Sequence, residues 1–450
     1  MPLQDHVTGL AREDARIMTR RQWLRGATAL VFQPDRGFRD TGSLLAGAAR
    51  RVITPDPLLP LSGGMGPPQP ALRKQGELTV RALYLRRGET AIAIVGLDLL
   101  GFPGVLADRV RARVPRLKPE AILIGATHTH SAPDCYAFPD GKGGHTGDLK
   151  YLDRVCVLAA EAVNEAIDRA RPARLRVGTD EARGKIAYNY YAPDLYDRRM
   201  SVLQATADDG RAIVTLVNYA IHPEVIGNGQ GILSPDLCGP LYDRIEEKAG
   251  GIALFMNGAQ GGMVTADNRS PEKLKDPLRG YWEDERTWEE CVRIGNTMAD
   301  EALRIIGNAP VQDHPGLVLR SVRVTLPVSS PEMWQVVTQS PLGYPHGKER
   351  TIRTRLALVN VGDAQILTIP GEALPNIGFF LKRKMRGRHN LLFGLTNDAF
   401  GYILTEVDFR SFPRYEYVSR TSLGEQTGPL LIRKWLELIR NSPRPDAGPG

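Results

Sequence analysis

Two histidines, His128 and His130, stand two residues apart directly after the apolar run at residues 121–124. Side chains alternate along a strand, so both imidazoles are expected to point to the same side at the end of that strand. Imidazole is the commonest protein ligand for zinc, and such a pair could begin a metal site. The same pattern also fits two histidines held by local hydrogen bonds, and the spacing alone does not separate these interpretations.

Other predicted strands also end in groups that could bind a metal or react. His222 follows the apolar run at 212–221, Glu372 follows the run at 365–369, and Tyr402 lies beyond Asn397. Loops converge at strand ends in sheets flanked by helices, and sites are built there. Histidine, glutamate and tyrosine side chains delivered in this way would make a zinc ligand set with room for a water molecule.

The elements that must position these residues are both strands and helices. Strands are predicted at 78–85 and 91–100, and helices at about 149–171, 286–306 and 430–440. The first two helices carry an apolar stripe with helical spacing, which is typical of core packing. No internal repeat or inter-domain linker is visible. The simplest prediction is one α/β catalytic domain with a mixed β-sheet flanked by helices.

The composition is that of an ordinary globular protein. Hydrophobic residues make up 42% of the 450 and charged residues 24%, which is enough for a well-buried core. The net charge of +7 comes without basic runs interleaved with aromatics, so nucleic-acid binding is not indicated. The four cysteines form no Cys-x-x-Cys pair. No stretch has the length of a transmembrane helix, although peripheral membrane contact is compatible with the sequence.

The N-terminal region has features of an export signal. Residues 19–25 resemble the bacterial twin-arginine signal, and residues 26–32 would form its hydrophobic region. That region is short and no Ala-x-Ala cleavage site follows closely, so a chance Arg-Arg pair is the alternative. We expect a leader over residues 1–47, with Met18 as a possible start. The protein would then be periplasmic or secreted, or cytoplasmic if the signal is vestigial.

The motifs between residues 48 and 440 together resemble those of the neutral (non-lysosomal) ceramidases and their bacterial relatives. The matching segments are His-Thr-His-Ser-Ala-Pro at 128–133, Asp-Arg-Arg-Met-Ser-Val-Leu at 197–203, His-Pro at 222–223, Leu-Ser-Pro-Asp at 233–236, Pro-Gly-Glu at 370–372, Gly-Tyr-Ile-Leu-Thr at 401–405 and Arg-Tyr-Glu at 414–416. The resemblance implies a neutral-ceramidase-like catalytic domain over residues 48–440. Residues 441–450 are expected to be a disordered tail, because they are mostly Pro, Gly, Ser and charged residues.

This resemblance implies a role for each residue found at the strand ends. His128, His222, Glu372 and Tyr402 would be the zinc ligands, and His130 would lie beside the metal. The reaction would be hydrolysis of an amide bond in an N-acyl sphingoid base or another N-acyl compound, with metal-activated water attacking the carbonyl. His130 would move a proton between that water and the leaving nitrogen, and Tyr402 would also stabilise the developing oxyanion.

Departures from the family pattern bear on the substrate. Val264 stands where the ceramidases carry a catalytic serine, or Thr265 does if the loop shifts by one residue. Asn189 matches a family asparagine, but Tyr190 replaces the arginine that usually follows it. We predict that Asn189 and Thr265 bind substrate. The ceramidases continue into a C-terminal immunoglobulin-like domain, whereas this sequence stops after the helix near 430–440.

The leading hypothesis is a zinc-dependent amidohydrolase of a small or lipid-like N-acyl compound. One alternative is a zinc hydrolase of an ester or of a sugar-derived or cell-wall-derived substrate. The other is a catalytically inactive binding protein of the same fold, which the retained ligand set disfavours. Two further residues have open roles: Asp98 is predicted either to orient a ligand histidine or to hold a turn, and Glu224 is expected to face solvent.

Overall fold

Strands and helices alternate along the chain in the computed structural model, which describes residues 42–276 and 281–446. The first elements are β1 (Leu45–Val52), β2 (Leu61–Ser62), β3 (Arg73–Lys74), β4 (Thr79–Arg87), β5 (Thr90–Leu97), α1 (Gly104–Ala112), β6 (Ile122–Ala126), β7 (Ala132–Pro133), α2 (Leu149–Asp168), β8 (Arg171–Glu181), β9 (Ala187–Asn189), β10 (Arg199–Ala207) and β11 (Ala212–Tyr219). The export-signal motif at 19–25 lies outside the described residues and stays a prediction.

The second half of the chain contains more short strands than the first. Its elements are β12 (Ile232–Leu233), α3 (Cys238–Ala249), β13 (Ile252–Asn257), β14 (Val264–Ala266), β15 (Arg269–Asp276), β16 (Tyr281–Asp284), α4 (Trp288–Gly307), β17 (Val311–Gln312), β18 (Leu317–Pro327), α5 (Pro331–Gln339), β19 (His346–Gly347), β20 (Thr351–Val361), β21 (Ala364–Thr368), β22 (Glu372–Ala373), α6 (Pro375–Lys384), β23 (His389–Phe393), β24 (Tyr402–Ile403), α7 (Glu416–Arg420) and α8 (Thr427–Asn441). Short 3-10 helices occupy Pro119–Ala121 and Pro413–Tyr415.

The largest sheet is mixed and has the strand order β13-β11-β10-β8-β1-β4-β5-β6, with β17 also paired to β8. Its β5–β6 and β11–β13 pairs are parallel, whereas β4–β5 and β10–β11 are antiparallel. Every residue of β11 is buried, which explains its continuous apolar sequence. The mixed α/β fold and the two strands predicted near residues 78–100 are therefore confirmed.

This sheet bends back on itself, so that β5 and β13 lie against each other. Its two halves are joined through a short β1–β8 pairing that involves only Leu45 and Ala46 of β1. Gly96 of β5 lies so near the Phe255 carbonyl of β13 that a Cβ atom there would be 2.9 Å from the oxygen. This close approach brings the ends of β6 and β11 to the same region, and these are the strands that precede the paired histidines and His222.

A second sheet, with the order β18-β20-β21-β23 and β19 paired to β20, carries the other candidate ligands. Buried apolar side chains of both sheets form one continuous cluster. The side-chain amide of Asn218 in β11 links the two sheets. It donates to the backbone oxygens of Met256, Asn257 and Leu392 at 2.9, 3.0 and 2.7 Å. Glu372 and Tyr402, which follow β21 and β23, are thereby placed next to the histidines.

The helices bury the apolar stripes that the sequence predicts. In α2, Asp148 caps the first turn by accepting from the Tyr151 amide at 2.8 Å, and the predicted stripe from Leu152 to Ala166 is buried. Thr287 caps α4 in the same way. Among the described residues, no helix combines the length and the apolar character that a membrane span requires.

The chain continues to make contacts after α8. Asn441 is the last residue of that helix. After it, Pro443 O accepts from the side-chain amide of Asn360 at 2.8 Å, and Asp446 O accepts from the backbone amide of Gly316 at 3.0 Å. These hydrogen bonds hold residues 442–446, which the sequence assigns to a disordered tail, against the second sheet. The division into leader, catalytic domain and tail stays a prediction.

Candidate metal centre

His128 follows β6 in a strained backbone conformation. Its φ of 73° lies in the left-handed region, which residues other than glycine rarely adopt. Two hydrogen bonds hold it there: its amide donates to Leu99 O at 3.0 Å, and its Nδ1 contacts Leu100 O at 2.5 Å. A carbonyl oxygen can only accept, so Nδ1 carries the ring proton. The Nε2 lone pair of the neutral ring is therefore available to a metal ion.

His222 is held in the same tautomer by a different strand. It lies just after β11 and is almost completely buried. Both its amide and its Nδ1 contact the Val264 carbonyl, at 2.9 and 2.7 Å. Since this carbonyl accepts from Nδ1, the Nε2 atom of His222 also presents a lone pair in the neutral ring.

Glu372 brings a buried carboxylate between the two rings. Its Oε2 lies 3.5 Å from His128 Nε2 and 3.2 Å from His222 Nε2. Two nitrogen lone pairs facing one carboxylate oxygen repel each other unless a ring is protonated or a cation lies among them. In a tetrahedral zinc site with bonds of about 2.0–2.2 Å, neighbouring ligand atoms are roughly 3.3–3.5 Å apart. The donor set and its spacing therefore fit a bound metal ion.

The pKa of Glu372 reflects the same arrangement. Burial raises this pKa, but the charges and hydrogen bonds of His128 and His222 outweigh burial and lower it well below its usual range. Burial lowers the pKa of His222, but the hydrogen bond that its ring donates to Glu372, together with the charges of Glu224 and Glu372 and the hydrogen bond to Val264, raises this pKa overall. Without a metal, the carboxylate and the imidazole of His222 thus each favour the charged form of the other.

His130 completes a group of three histidines. One ring nitrogen from each of His128, His130 and His222 lies within 4.8 Å of the others, so the expectation that His128 and His130 share one side is met. Within the described part of the chain, His130 Nε2 is buried without a hydrogen-bond partner. Burial lowers the pKa of His130 to about 3, which Glu224 only partly offsets. The ring is therefore neutral near pH 7, with an unused polar atom beside the other two histidines.

Glu224 does not face solvent, contrary to the expectation from sequence. Its Oε2 lies 3.6 Å from His130 Nδ1, and only 21% of its side chain is exposed. The physical reason is a tight turn in which the Glu224 amide donates to the His222 carbonyl at 3.0 Å, which returns the side chain toward the site. Burial raises the pKa of this carboxyl, but the charges of His130 and His222 are the main effects that lower it, and the pKa is lowered overall.

Tyr402 reaches the site through backbone pairing with Glu372. The short strands β22 and β24 are parallel, with Glu372 and Tyr402 as direct partners, and the Glu372 amide donates to Gly401 O at 2.8 Å. The phenol is buried and lies 3.4 Å from Met263 Sδ. Burial, followed by the charge of Glu372, raises the pKa of Tyr402 well above its usual range. The phenol is neutral in this metal-free arrangement.

Solved structures provide the comparison that decides the fold. No family model and no curated protein matches the chain. The crystal structure of neutral ceramidase from Pseudomonas aeruginosa matches with a TM-score of 0.70 and 17% identity, covering 91% of this chain and 77% of that one. The structure of a ceramidase complexed with C2 matches with a TM-score of 0.69 and 17% identity, covering 90% and 78%. This chain has the neutral ceramidase fold. The fold predicted from the motifs is thus confirmed.

Within the neutral ceramidase fold, the two residues at the serine position point in different directions. Val264 is fully buried and packs in the apolar cluster around β11 and α4. Thr265 pairs with His222 in a parallel bridge, and it is one of the groups that lower the pKa of the Glu224 carboxyl. A side chain at position 264 therefore points into the core, whereas Thr265 lies near the carboxylate that faces His130. Substrate binding by Thr265 stays a prediction.

The side chain of Asn189 makes its hydrogen bonds within the loop that follows it. Its Oδ1 accepts from the amides of Tyr191 and Ala192 at 2.8 and 3.2 Å, and its Nδ2 donates to Leu195 O at 2.9 Å. The residue is buried and pairs with Val264 across the β9–β14 ribbon. These contacts order the loop next to the site. The predicted role of Asn189 in substrate binding stays a prediction.

Asp98 links the end of β5 to β4 and α3. Its carboxylate accepts from the Thr79 amide at 2.9 Å, the Thr79 hydroxyl at 2.7 Å and the Tyr242 hydroxyl at 3.1 Å. These hydrogen bonds involve no ligand histidine, and they join a neighbouring strand and a helix instead of holding a local turn.

A polar residue missed in the sequence, Asn257, joins the strands that precede the histidines. Its Nδ2 donates to Thr127 O at 3.0 Å and to Ile221 O at 2.7 Å, and its Oδ1 accepts from the Ile221 amide at 3.2 Å. The carbonyls belong to the residues directly before His128 and His222. Asn257 ends the apolar run of β13, as the predicted ligands end theirs, and that shared position is the signal that could have identified it.

Proposed function

We propose that this protein is a zinc-dependent amidohydrolase acting on a small or lipid-like N-acyl compound. The observation that carries the proposal is the arrangement of His128, His222 and Glu372. Both rings have their Nδ1 atoms bonded to carbonyls, and both Nε2 atoms face one carboxylate oxygen at tetrahedral ligand spacing. The similarity of the fold to ceramidases, which are hydrolases by name, supports the choice of reaction.

His128, His222, Glu372 and Tyr402 would hold the zinc ion. Zinc supplies two effects when bound: it lowers the pKa of a water molecule to about 7 and it polarises a carbonyl group. Tyr402 carries its proton in the metal-free site, because its pKa is raised there. It would bind the metal as the phenolate, which a nearby divalent cation favours, or would stabilise an oxyanion as the protonated phenol.

His130 would transfer the proton between the attacking water and the leaving nitrogen. Its Nε2 is the unpartnered atom beside the other rings, and its Nδ1 faces the Glu224 carboxylate. A carboxylate at Nδ1 fixes the tautomer of the imidazole and stabilises the imidazolium that forms when Nε2 accepts a proton. Thr265, which lowers the pKa of the Glu224 carboxyl, would help to keep that group ionised.

An amide substrate is favoured because this arrangement provides a proton for the leaving group. An amine leaves readily only when its nitrogen is protonated, whereas an alkoxide leaving group depends less on this step. The catalytic serine of the ceramidase pattern is absent, and Val264 in its place is buried in the apolar core. Water is therefore the nucleophile in this proposal, and the acyl group would be transferred directly to it.

The proposal is tested by metal analysis and by matched substrates. We expect about one zinc ion per chain in the wild type, and none in the His128→Ala, His222→Ala double variant. A His145→Ala, His314→Ala double variant is the matched control, since both of these histidines are exposed. An N-acyl amine and the O-acyl ester with the same acyl chain are then compared for each protein.

Faster turnover of the amide by the wild type and the control, with no turnover by the site variant, is the expected result. If the wild type hydrolysed the ester faster than the amide, the protein would be an esterase that uses the same centre. Zinc binding without hydrolysis of either class would favour an inactive binding protein of this fold. A wild type that contains no metal after zinc is supplied would overturn the proposal.

A further inference from the structure

A separate cavity of about 260 Å³ lies between the start of α1 and the β18–β20 ribbon, and it shares no lining residue with the metal centre. Its wall contains an unusual number of cationic side chains. These are Arg111, Arg323, Arg353 and Arg355. Sites for drug-sized ligands are typically about 300–1,000 Å³, so this cavity suits a smaller polar group.

The arginines of the ribbon lie close together, and few of them have an acidic partner. Arg323 and Arg355 are direct cross-strand partners, and Arg353 lies two residues before Arg355 on the same face. Like charges directly opposite each other destabilise a sheet. Among the described residues, Arg323 and Arg353 have no ion-pair partner, and Arg355 has only Glu120 at 3.7 Å. Burial, followed by the charges of its arginine neighbours, lowers the pKa of Arg355.

The groups around Arg111 fix the position of its guanidinium but neutralise little of its charge. It donates to Ile122 O at 3.1 and 3.2 Å and to Asn397 Oδ1 at 2.8 Å. Its ion pair with Asp108, at 2.8 Å, involves a carboxylate whose side chain is 68% exposed. A pre-oriented guanidinium therefore adds to the positive charge of the cavity.

Three buried polar atoms of the wall have no hydrogen-bond partner among the described residues. They are Asn397 Nδ2, the Tyr344 hydroxyl and the Thr354 hydroxyl, in residues that are 2%, 8% and 5% exposed. The oxygen of Asn397 is already used by Arg111 and the Ile124 amide, so its free group is a donor. Buried polar groups are normally satisfied, and the residues of these three line a cavity that could hold their partner.

The acids that face the cavity do not cancel its positive charge. Asp108 is paired with Arg111 at the surface, and Asp398 accepts from the Gly104 amide at 2.7 Å. Burial raises the pKa of Asp398 to about 7. Near neutral pH a substantial fraction of this carboxyl is protonated and can itself donate a hydrogen bond.

We propose that this cavity binds a phosphate group. Arginine forks match phosphate oxygens in bidentate geometry, and the neutral donors Asn397 and Tyr344 would bond the oxygens that the arginines leave free. A bound dianion would also remove the repulsion between Arg323 and Arg355. The group could be free phosphate, a small phosphate ester or a phospholipid head group, all of which present the same chemistry.

The test is a titration of the zinc-loaded protein with inorganic phosphate by calorimetry, in a buffer without phosphate and at constant ionic strength. Arg323→Gln and Arg355→Gln are the site variants. Arg320→Gln is the matched control, because it makes the same charge change at an exposed position of β18 that does not line the cavity. We expect saturable binding by the wild type and the control, and binding at least roughly tenfold weaker in each site variant.

Thermal unfolding adds a readout that general loss of structure would not produce. Without phosphate, Arg323→Gln is expected to unfold at a higher temperature than the wild type, because it removes a like-charge contact. With saturating phosphate the order should reverse. Glycerol phosphate, and vesicles of phosphatidylcholine with or without phosphatidic acid, distinguish the three sources. No saturable binding of any probe, or equal binding by the wild type and both site variants, would overturn the proposal.

Discussion

At the scale of single residues, the arrangement of ring nitrogens distinguishes a metal site from a buried pair of histidines. If His128 and His222 were purely structural, their ring nitrogens would be satisfied by local donors and acceptors. Instead, one nitrogen of each is bonded to a carbonyl and the other faces Glu372. The left-handed backbone conformation of His128 also costs free energy, and this conformation directs its ring toward Glu372.

Glu224 is the residue whose contribution is most directly testable. In Glu224→Gln the shape of the side chain is kept, but the carboxylate that faces His130 Nδ1 is lost. We expect hydrolysis to slow by roughly 10- to 100-fold, the size typical when a partner that orients a histidine at a metal site is removed. The turnover number should fall while the zinc content stays unchanged, and steady-state kinetics with metal analysis checks both.

Glu89→Gln is the matched control, because Glu89 lies exposed in the turn between β4 and β5. It should be as active as the wild type. If Glu224→Gln kept full turnover, His130 would not depend on this carboxylate, and its place in the proton transfer would have to be abandoned. The conservative Glu224→Asp variant should retain part of the activity, since it keeps the charge at a greater distance.

The sequence predicted which candidate ligands lie close together better than it predicted the residues that support them. The positions of His128, His222, Glu372 and Tyr402 follow from strand ends, which periodicity reveals. Glu224 was wrongly assigned to solvent because the alternation of a strand stops where the chain turns after His222. A turn of this kind depends on one backbone hydrogen bond, which residue types alone do not determine.

At the scale of elements, Asn257 at the end of β13 links the strands that carry two of the candidate ligands. It contacts the residue before His128 and the residue before His222, at sequence separations of 130 and 36 residues. Contacts of this kind arise only when β6, β11 and β13 are brought together by the bend of the large sheet. They could not be inferred from local pattern, although the polar end of the β13 run was visible.

Asn257→Asp keeps the size of the side chain but removes both donated hydrogen bonds and adds a buried charge. We expect the free energy of unfolding to fall by at least about 2 kcal/mol, because a buried carbonyl left without its donor costs roughly 1–3 kcal/mol. Zinc affinity should fall by roughly 10- to 100-fold, since the loops that present both histidines are released. Urea denaturation and competition with a zinc chelator measure the two effects.

An asparagine at a helix end provides the comparison for this change. Asn308 follows α4, is exposed, and donates to Arg304 O at 3.1 Å, so Asn308→Asp makes the same chemical change away from the site. It should leave zinc affinity unaltered. Unchanged zinc affinity in Asn257→Asp as well would mean that the two histidines are positioned by their own carbonyl contacts and that Asn257 is only structural.

At the scale of the whole molecule, the candidate ligands come from segments far apart in the chain and from both sheets. His128 and His222 follow strands of the large sheet, whereas Glu372 and Tyr402 follow strands of the smaller one. Their approach depends on the apolar cluster that joins the sheets. The fold class was predicted correctly, because the helix and strand periods that indicate it are local features of the sequence. The packing of one sheet on the other depends on many weak contacts and needed the structure.

A metal ion at this junction should therefore stabilise the association of the two sheets. If zinc binds only the folded protein, free zinc at 1,000 times its dissociation constant contributes about 4 kcal/mol to the free energy of unfolding. Removing zinc with a chelator should lower the unfolding temperature and leave the far-UV circular dichroism unchanged, because the apolar cluster that joins the two sheets remains. Added zinc should restore both the unfolding temperature and hydrolysis.

The His128→Ala, His222→Ala variant separates this effect from metal bound elsewhere. Its unfolding temperature should not respond to chelator or to zinc, since two of the candidate ligands are gone. An equal response of variant and wild type would place the stabilising ion at another site. If the wild type unfolded at the same temperature with and without zinc, the junction of the two sheets would be complete without a metal. The hydrogen bonds and charges of the histidines, which already lower the pKa of Glu372 in the metal-free arrangement, would then account for its ionised state.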